Sequence, residues 1–244
     1  MFRQSVLETI DVIYHSGICI NGEKKIYIDP IKIQGTPHDA DLILFTHPHF
    51  DHFSPKDVKK LLKHDTVIAA PESMKVFCKL LLRRETVFLL PDRDYELCGV
   101  EIHTVAAYNN RKPMHMKAMK WLGYIIDVND TKVYISGDTD ITNDSRNVSC
   151  DIAVLPVGGF YTINAVQAAE LARMISPHTV IPVHYGKFLG GADAAEKLRS
   201  ALGTDIETDI RPNAYSTVLV SMYAKLAAII AVAGVLELHL AGII

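Results

Sequence analysis

The chain alternates short apolar runs with amphipathic stretches, and the two periodicities lay out most of its elements. Lys25-Ile26-Tyr27-Ile28 predicts a strand that stops at Asp29-Pro30. Asp41-Leu42-Ile43-Leu44-Phe45-Thr46 predicts a second, continuously apolar at its centre, as a strand covered on both faces should be. Ser54-Pro55-Lys56-Asp57 then marks a helix start. Serine can cap, proline fits the first turn where its missing N–H costs nothing, and aspartate favours the positive end of the dipole. Val67-Ile68-Ala69-Ala70 predicts a strand, and 72–83 a helix.

The middle of the chain reads as β-rich, with strands at 86–90, 100–105, 123–128 and 132–136. The last two flank a hairpin turn at Asn129-Asp130-Thr131. A buried strand follows at 151–157. Asn164 and Gln167 have capping-box spacing and open a helix to about Ser176. A strand at 180–183 delivers His184-Tyr185-Gly186, and 193–201 reads as a helix. Helices interleaved with many strands predict an α/β or α+β layered domain over residues 1–213.

Residues 214–244 form an apolar tail of a different character. From Ser216 onward its only charged or imidazole side chains are Lys225, Glu237 and His239. The stretch 226–236 is shorter than the ~20 residues a membrane span needs. Extending it toward 216 places Lys225 near the middle, a costly position. A docking helix or oligomer contact is the expectation, and membrane contact through 216–244 the sharper alternative.

Composition narrows the class without choosing a function. At 244 residues the chain can bury one substantial core, and 49% hydrophobic against 22% charged residues is the balance of a soluble globular protein. A net charge of −3 weighs against a nucleic-acid partner, since such affinity comes mainly from Lys and Arg neutralising phosphates. Arg83-Arg84 and Arg111-Lys112 are the local basic pairs, and both read as solvated surface. Cys19, Cys78, Cys98 and Cys150 include no CxxC and read as thiols in a reducing compartment. The opening MFRQSVLETIDVIYHSG has no apolar h-region, so the expected location is cytoplasmic.

Candidate chemistry concentrates in Thr46-His47-Pro48-His49-Phe50-Asp51-His52, just after a buried strand. Imidazole and carboxylate are ligands for zinc, iron and manganese, and four of them on one loop can converge on two adjacent points. A His-rich surface turn is the bland alternative. HxHxDH in this context resembles the signature of the metallo-β-lactamase superfamily. Ser136-Gly137-Asp138-Thr139-Asp140 and Pro182-Val183-His184-Tyr185-Gly186 are similar to its later GD and histidine elements, in the same order and each ending a strand. Within the superfamily the chain most resembles the L-ascorbate-6-phosphate lactonase-like and N-acyl-phosphatidylethanolamine phospholipase D-like branch. That likeness rests on Tyr14-His15-Ser16-Gly17, Ile28-Asp29-Pro30 and Leu155-Pro156-Val157-Gly158-Gly159.

The resemblance implies a four-layer αβ/βα sandwich with two divalent metal ions at one edge, zinc first, with manganese or iron as alternatives. It implies that His47, His49 and His115 hold one metal, Asp51, His52 and His184 the other, and that Asp138 bridges. The family's further histidine should follow the strand at 101–105, yet that strand continues Ala106-Ala107-Tyr108-Asn109. His115 fills the place if the loop folds back, with Asn109 or a water as the alternative. His103 lies within the strand and reads as a core or hydrogen-bonded residue. The implied activity is hydrolysis of a small ester, lactone, amide or phosphoester by a metal-bound hydroxide, with Asp51 orienting it or carrying its proton. A nuclease of the same superfamily and a non-catalytic metal-binding protein are the alternatives. Tyr161, Tyr185 and Lys187 are candidate substrate contacts for the small-molecule substrate, or simply packing and surface. His15 and Asp29 are candidates for orienting ligands. Oligomeric state stays open.

Overall fold

Period-two burial along the strands builds two sheets that share one core. The computed structural model describes residues 2–110, 114–186, 189–212 and 215–216. The first sheet runs in sequence order: β1 (Ile10–Tyr14), β2 (Gly17–Asn21), β3 (Lys25–Ile28), β4 (Leu42–Leu44), β5 (Val67–Pro71) and β6 (Val87–Leu89). It is antiparallel from β1 to β3 and parallel from β3 to β6. The second contains β7 (Arg93–Leu97), β8 (Val100–Ala106), β9 (Leu122–Val128), β10 (Thr131–Ile135), β11 (Ile152–Pro156) and β12 (Thr179–Val183). A short pair, β13 (Tyr185–Gly186) with β15 (Tyr215–Ser216), lies apart, while β14 (Glu207–Thr208) extends the second sheet beside β12.

Alternation decides which residue faces which layer. Ile18, Ile20, Ile26, Ile28, Leu42 and Leu44 join Ile102, Tyr124 and Ile126 of the second sheet in the central core. Their neighbours Cys19, Tyr27, Ile43 and Ile68 point the other way. After α1 (Phe2–Thr9), which adds Val6 and Leu7 to the central core, the outer face of the first sheet is covered by α2 (Pro55–Leu61) and the helical stretch containing α3 (Lys75–Phe77). On the far side α4 (Ala165–Ile175) and α5 (Ala194–Leu202) bury Ala168, Leu171, Leu198 and Leu202. Each such leucine contributes about 1.5–3 kcal/mol by leaving water. The expected four-layer sandwich is the observed architecture.

Local signals act as their chemistry requires. Ser54 Oγ accepts the Asp57 N–H at 3.3 Å and starts α2. Asn164 and Gln167 form the reciprocal capping box of α4. Asn129 and Asp130 both take left-handed φ, at 52° and 61°, as a two-residue hairpin turn demands; Thr131 already belongs to β10.

The predicted helix at 72–83 is irregular instead. A 3-10 turn over Glu72–Met74 leads into α3, and a wide π turn follows over Cys78–Leu82. Met74, Cys78 and Leu82 are buried at a spacing of four, which drifts around a 3.6-residue turn, and the wider turn keeps them on one face.

Residues 10–21 and β7 were not among the predicted strands. β7 carries Arg93, Asp94 and Glu96 on a sheet edge, so it lacks an apolar pattern. No disulfide joins the four cysteines; Cys19 and Cys78 are buried and Cys98 and Cys150 partly so. The apolar tail beyond Ser216, Arg111-Lys112 and Lys187 lie outside the described residues. Among the described residues no helix is long and apolar enough to cross a membrane.

Candidate metal centre

The ends of four strands set the site. Beyond β4, the Phe45 N–H bonds Ala69 of β5, Tyr124 O–H donates to the Phe45 carbonyl, and the Leu122 N–H bonds the Thr46 carbonyl. The root of the histidine loop is therefore tied to both sheets. Beyond it, the amides of His52 and Phe53 both donate to the His49 carbonyl and close a tight turn. After β10, Gly137 has φ +61°, and a Cβ there would lie 3.1 Å from Thr46 Cβ. Glycine is what lets the chain carrying Asp138 approach Thr46. Beyond β12, His184 takes φ +55° and its N–H reaches the His15 carbonyl at 3.4 Å.

The loop after β8 does fold back. The Asn109 N–H donates to the His115 carbonyl at 2.6 Å, and Asn109 Nδ2 donates to the Tyr161 carbonyl at 2.8 Å. His115 consequently lies beside the histidine loop, its ring centroid 4.8 Å from that of His49 and 5.1 Å from that of His47.

Seven predicted donors converge in two overlapping groups. In the first, ligand atoms of His47, His49, His115 and Asp138 all lie within 4.8 Å of one another, with His47 Nε2 only 3.0 Å from His49 Nδ1. In the second, Asp51 Oδ2 is 3.3 Å from His184 Nε2 and 3.4 Å from His52 Nε2. Asp138 faces both groups: its Oδ2 is 3.3 Å from His184 and 3.8 Å from His47, and its Oδ1 is 3.4 Å from His52.

Those separations suit a shared cation better than direct pairing. Charge-assisted N–H···O bonds run about 2.7–2.9 Å. Two ligands each ~2.1 Å from one tetrahedral ion stand about 3.4 Å apart. Among the described residues His52 Nε2, His115 Nε2 and Asp51 Oδ1 are buried without a hydrogen-bond partner, an arrangement that is costly unless something else satisfies them. The donor set fits a divalent ion.

Charge is polarised across the two groups. Burial pulls the imidazoles of His47, His49 and His115 down, His49 to about 4 and His115 to about 3, so all three present neutral nitrogens. Burial acts the same way on His184, but Asp138 and Asp51 outweigh it and hold it up at about 9. His52 is likewise raised, against its burial, by Asp138, Asp51 and Asp29. Burial alone would raise Asp51 and Asp138, yet the neighbouring imidazoles keep both carboxylates well below their usual range.

A hydrogen-bond chain orients two of the rings. Asp29 Oδ2 accepts His52 Nδ1–H at 2.7 Å and the Thr46 hydroxyl at 2.5 Å, while Oδ1 accepts the Thr46 N–H at 2.8 Å. Thr46 Oγ1 in turn lies 2.9 Å from His47 Nδ1, which must donate to it. Both Nε2 atoms are left facing the centre. Asp29 thus sits where it can fix the orientation of the His52 ring. Thr46 and Trp121 were not singled out from sequence. Trp121 packs its ring 4.7–5.0 Å from those of His47, His49 and His115 and walls off the first group; the chain's lone tryptophan was the available signal.

Other candidates separate from the site. His103 sits on the exposed side of β8 with Nδ1 2.8 Å from Asp94, so it is hydrogen-bonded and not a core residue. It borders a polar concavity of about 980 Å³ over β7–β9 that contains none of the seven donors. Tyr185 is buried in the central core, which removes it as a substrate contact. Tyr161 lines the cleft over the donors together with Phe50, Met114 and Phe160. That cleft holds about 30 Å³, room for a water or two.

Residues 10–184 match the family described as the beta-lactamase superfamily domain, a span that includes all seven donors. The chain belongs to the metallo-β-lactamase superfamily. A UPF0173 metal-dependent hydrolase of Thermoplasma acidophilum is 31% identical over 214 residues, covering 81% of this chain and 93% of the relative. A second, from Pyrococcus horikoshii, is 27% identical over 80% of this chain and 92% of its own. Among solved structures, a candidate metal-dependent hydrolase from Parabacteroides distasonis superposes with TM-score 0.68 at 31% identity, covering 83% of this superfamily member and 91% of that chain. The metallo hydrolase Igni18 of Ignicoccus hospitalis shares the fold at TM-score 0.68 and 19% identity, over 84% of this chain and 95% of its own.

Proposed function

We propose that the chain is a two-metal hydrolase of a small ester, lactone, amide or phosphoester. His47, His49 and His115 would hold one ion, Asp51, His52 and His184 the other, with Asp138 between them. Zinc is the first choice because imidazole and carboxylate are its usual nitrogen and oxygen ligands, and manganese or iron accept the same donors. The observation that carries the reading is Asp138, whose two oxygens reach toward both groups at once.

When bound, two such ions act as Lewis acids and lower the pKa of water from 15.7 toward ~7. The protein's own part is orientation and proton handling. Asp51 stays ionised, and its Oδ1 has no hydrogen-bond partner among the described residues, so it can accept a hydrogen bond from a water and orient it. Trp121 and the aromatic rim keep bulk water from the first group. Phe50, Met114 and Phe160 favour a substrate with an apolar portion at the mouth. The resemblance to lactonase-like and phospholipase D-like proteins makes lactones and phosphodiesters the first panel to assay. A small molecule in the cytoplasm is the proposed partner.

The deciding experiment is elemental analysis of protein purified without added metal, wild type against His115→Ala, alongside that panel. Two equivalents falling toward one support the centre. Two equivalents in both forms remove His115 from the ligands and turn attention to Asn109. Little metal in the wild type, even after reconstitution with zinc, manganese or iron, overturns the proposal.

A further inference from the structure

His15 is absent from the ligand set above, yet it stands against it. It occupies the turn between β1 and β2, is fully buried, and holds φ at +58°. Its ring centroid is 4.2 Å from that of His184, and its Nε2 is 3.4 Å from Asp51 Oδ2. Its carbonyl accepts the His184 N–H, so the two residues are coupled through backbone as well as side chain.

We propose that His15 is a further ligand of the second metal position, on the side formed by Asp51 and His184. The proposal rests on the two-metal reading. Three distances carry it. Asp51 Oδ2 stands 3.4 Å from His15, 3.4 Å from His52 and 3.3 Å from His184, so His15 is spaced from this oxygen as the two assigned histidines are. A histidine serving only to orient Asp51 by a hydrogen bond would sit nearer 2.8 Å. The ligand atoms of His15, Asp51 and His184 also lie within 4.8 Å of one another, close enough for one ion.

The surroundings hold the imidazole in place. A Cβ at Gly17 would lie 2.9 Å from the Asp29 carbonyl, so the turn presenting His15 is pressed against the segment that orients His52. A left-handed histidine backbone is uncommon, and it persists here inside a fully buried turn. Ligation gives that placement a purpose that core packing of an imidazole does not.

The test uses cobalt(II) as a spectroscopic substitute in the full chain. His15→Cys places a thiolate where the imidazole nitrogen would bind, and a cobalt–thiolate charge-transfer band in the near ultraviolet is expected only if residue 15 coordinates. His15→Asn tolerates the left-handed backbone and should weaken the second cobalt equivalent by more than the ~10–100-fold that loss of an orienting partner costs, while the first is unchanged. Circular dichroism of the metal-free forms checks folding. Should both variants misfold, proton NMR of cobalt-loaded wild type decides by counting hyperfine-shifted imidazole N–H signals. Six are expected with His15 included and five without it, since His47, His49, His52, His115 and His184 supply the others.

Two cobalt equivalents with no thiolate band and undiminished second affinity in the asparagine variant overturn the role of His15 while leaving the two-metal reading intact. Wild type that binds no second ion overturns both.

Discussion

Asp29 and His52 are joined by a buried hydrogen bond of 2.7 Å between Oδ2 and Nδ1, and that bond decides which imidazole nitrogen faces the metal position. Asp29→Asn keeps a side chain that tolerates the left-handed backbone at this position (φ 48°) but removes the charge. Metal affinity should fall 10–100-fold, the usual cost of losing such a partner. Calorimetric titration with zinc reads it directly, and unchanged affinity would show that Asp29 only shapes the turn.

Gly158 bears on the same centre through the backbone of His184. A Cβ there would lie 2.3 Å from the His184 carbonyl, a backbone atom that cannot swing away. Gly158→Ala should destabilise the fold by about 1–3 kcal/mol and weaken metal binding, because the backbone of a donor residue must shift. Urea denaturation with and without metal separates the two effects. A variant matching wild type in both would mean the 158–184 contact has slack.

Metal removal has a structural consequence. His47, His49, Asp51 and His52 follow a strand of the first sheet, whereas His115, Asp138 and His184 follow strands of the second. A bound ion therefore cross-links the two layers. A ligand present at 1,000 times its dissociation constant contributes about 4 kcal/mol. Chelation should accordingly lower the melting temperature by roughly 10 °C, at 2–4 °C per kcal/mol for a domain of this size. Calorimetric scans before and after chelator treatment measure it; coincident transitions argue against a tightly held exchangeable ion.

Asp57 predicts a pH dependence away from the metal. It accepts the amides of Lys32 and Ile33, the Ser54 hydroxyl and the Lys60 ammonium, fastening the segment after Asp29 to α2. Burial alone would raise its pKa, but Lys60, Ser54 and the Lys32 amide together depress it. A depressed carboxylate contributes stability that is present above its unfolded value near 3.9 and lost as pH falls through the folded value. Asp57→Asn should cost about 1.5–3 kcal/mol at pH 7, with the gap to wild type closing below pH ~4. A gap independent of pH would place the effect in packing alone.

Much of this was legible in the chain because the chemistry is local. HxHxDH packs four donors into six residues, and Ser54, Asn164 and Asn129-Asp130 signal their turns within three or four positions. The helix at 72–83 is legible as a helix, but its 3-10 and π turns are not, because residues spaced by four suit a regular helix until the turn width is known. β7 escaped because an edge strand need not be apolar. Nothing in the sequence around Thr46 tells that its hydroxyl links His47 to Asp29 seventeen positions away, since that contact exists only once β3 and β4 lie side by side. His115 depended likewise on a loop closure, made by Asn109, that no periodicity encodes.

The rim of the cleft is interleaved with its donors along the chain. Phe50 sits between His49 and Asp51, and Met114 precedes His115, while Phe160 and Tyr161 lie on a loop that supplies no donor. Selectivity in this enzyme scaffold is thus unequally open to change. Phe160 can be diversified in a library at little risk to the donors, whereas Tyr161 holds a left-handed φ of 56° and its carbonyl accepts from Asn109, and every alteration at Phe50 or Met114 is made one peptide bond from a donor. An evolutionary route to a new substrate would be shortest through Phe160.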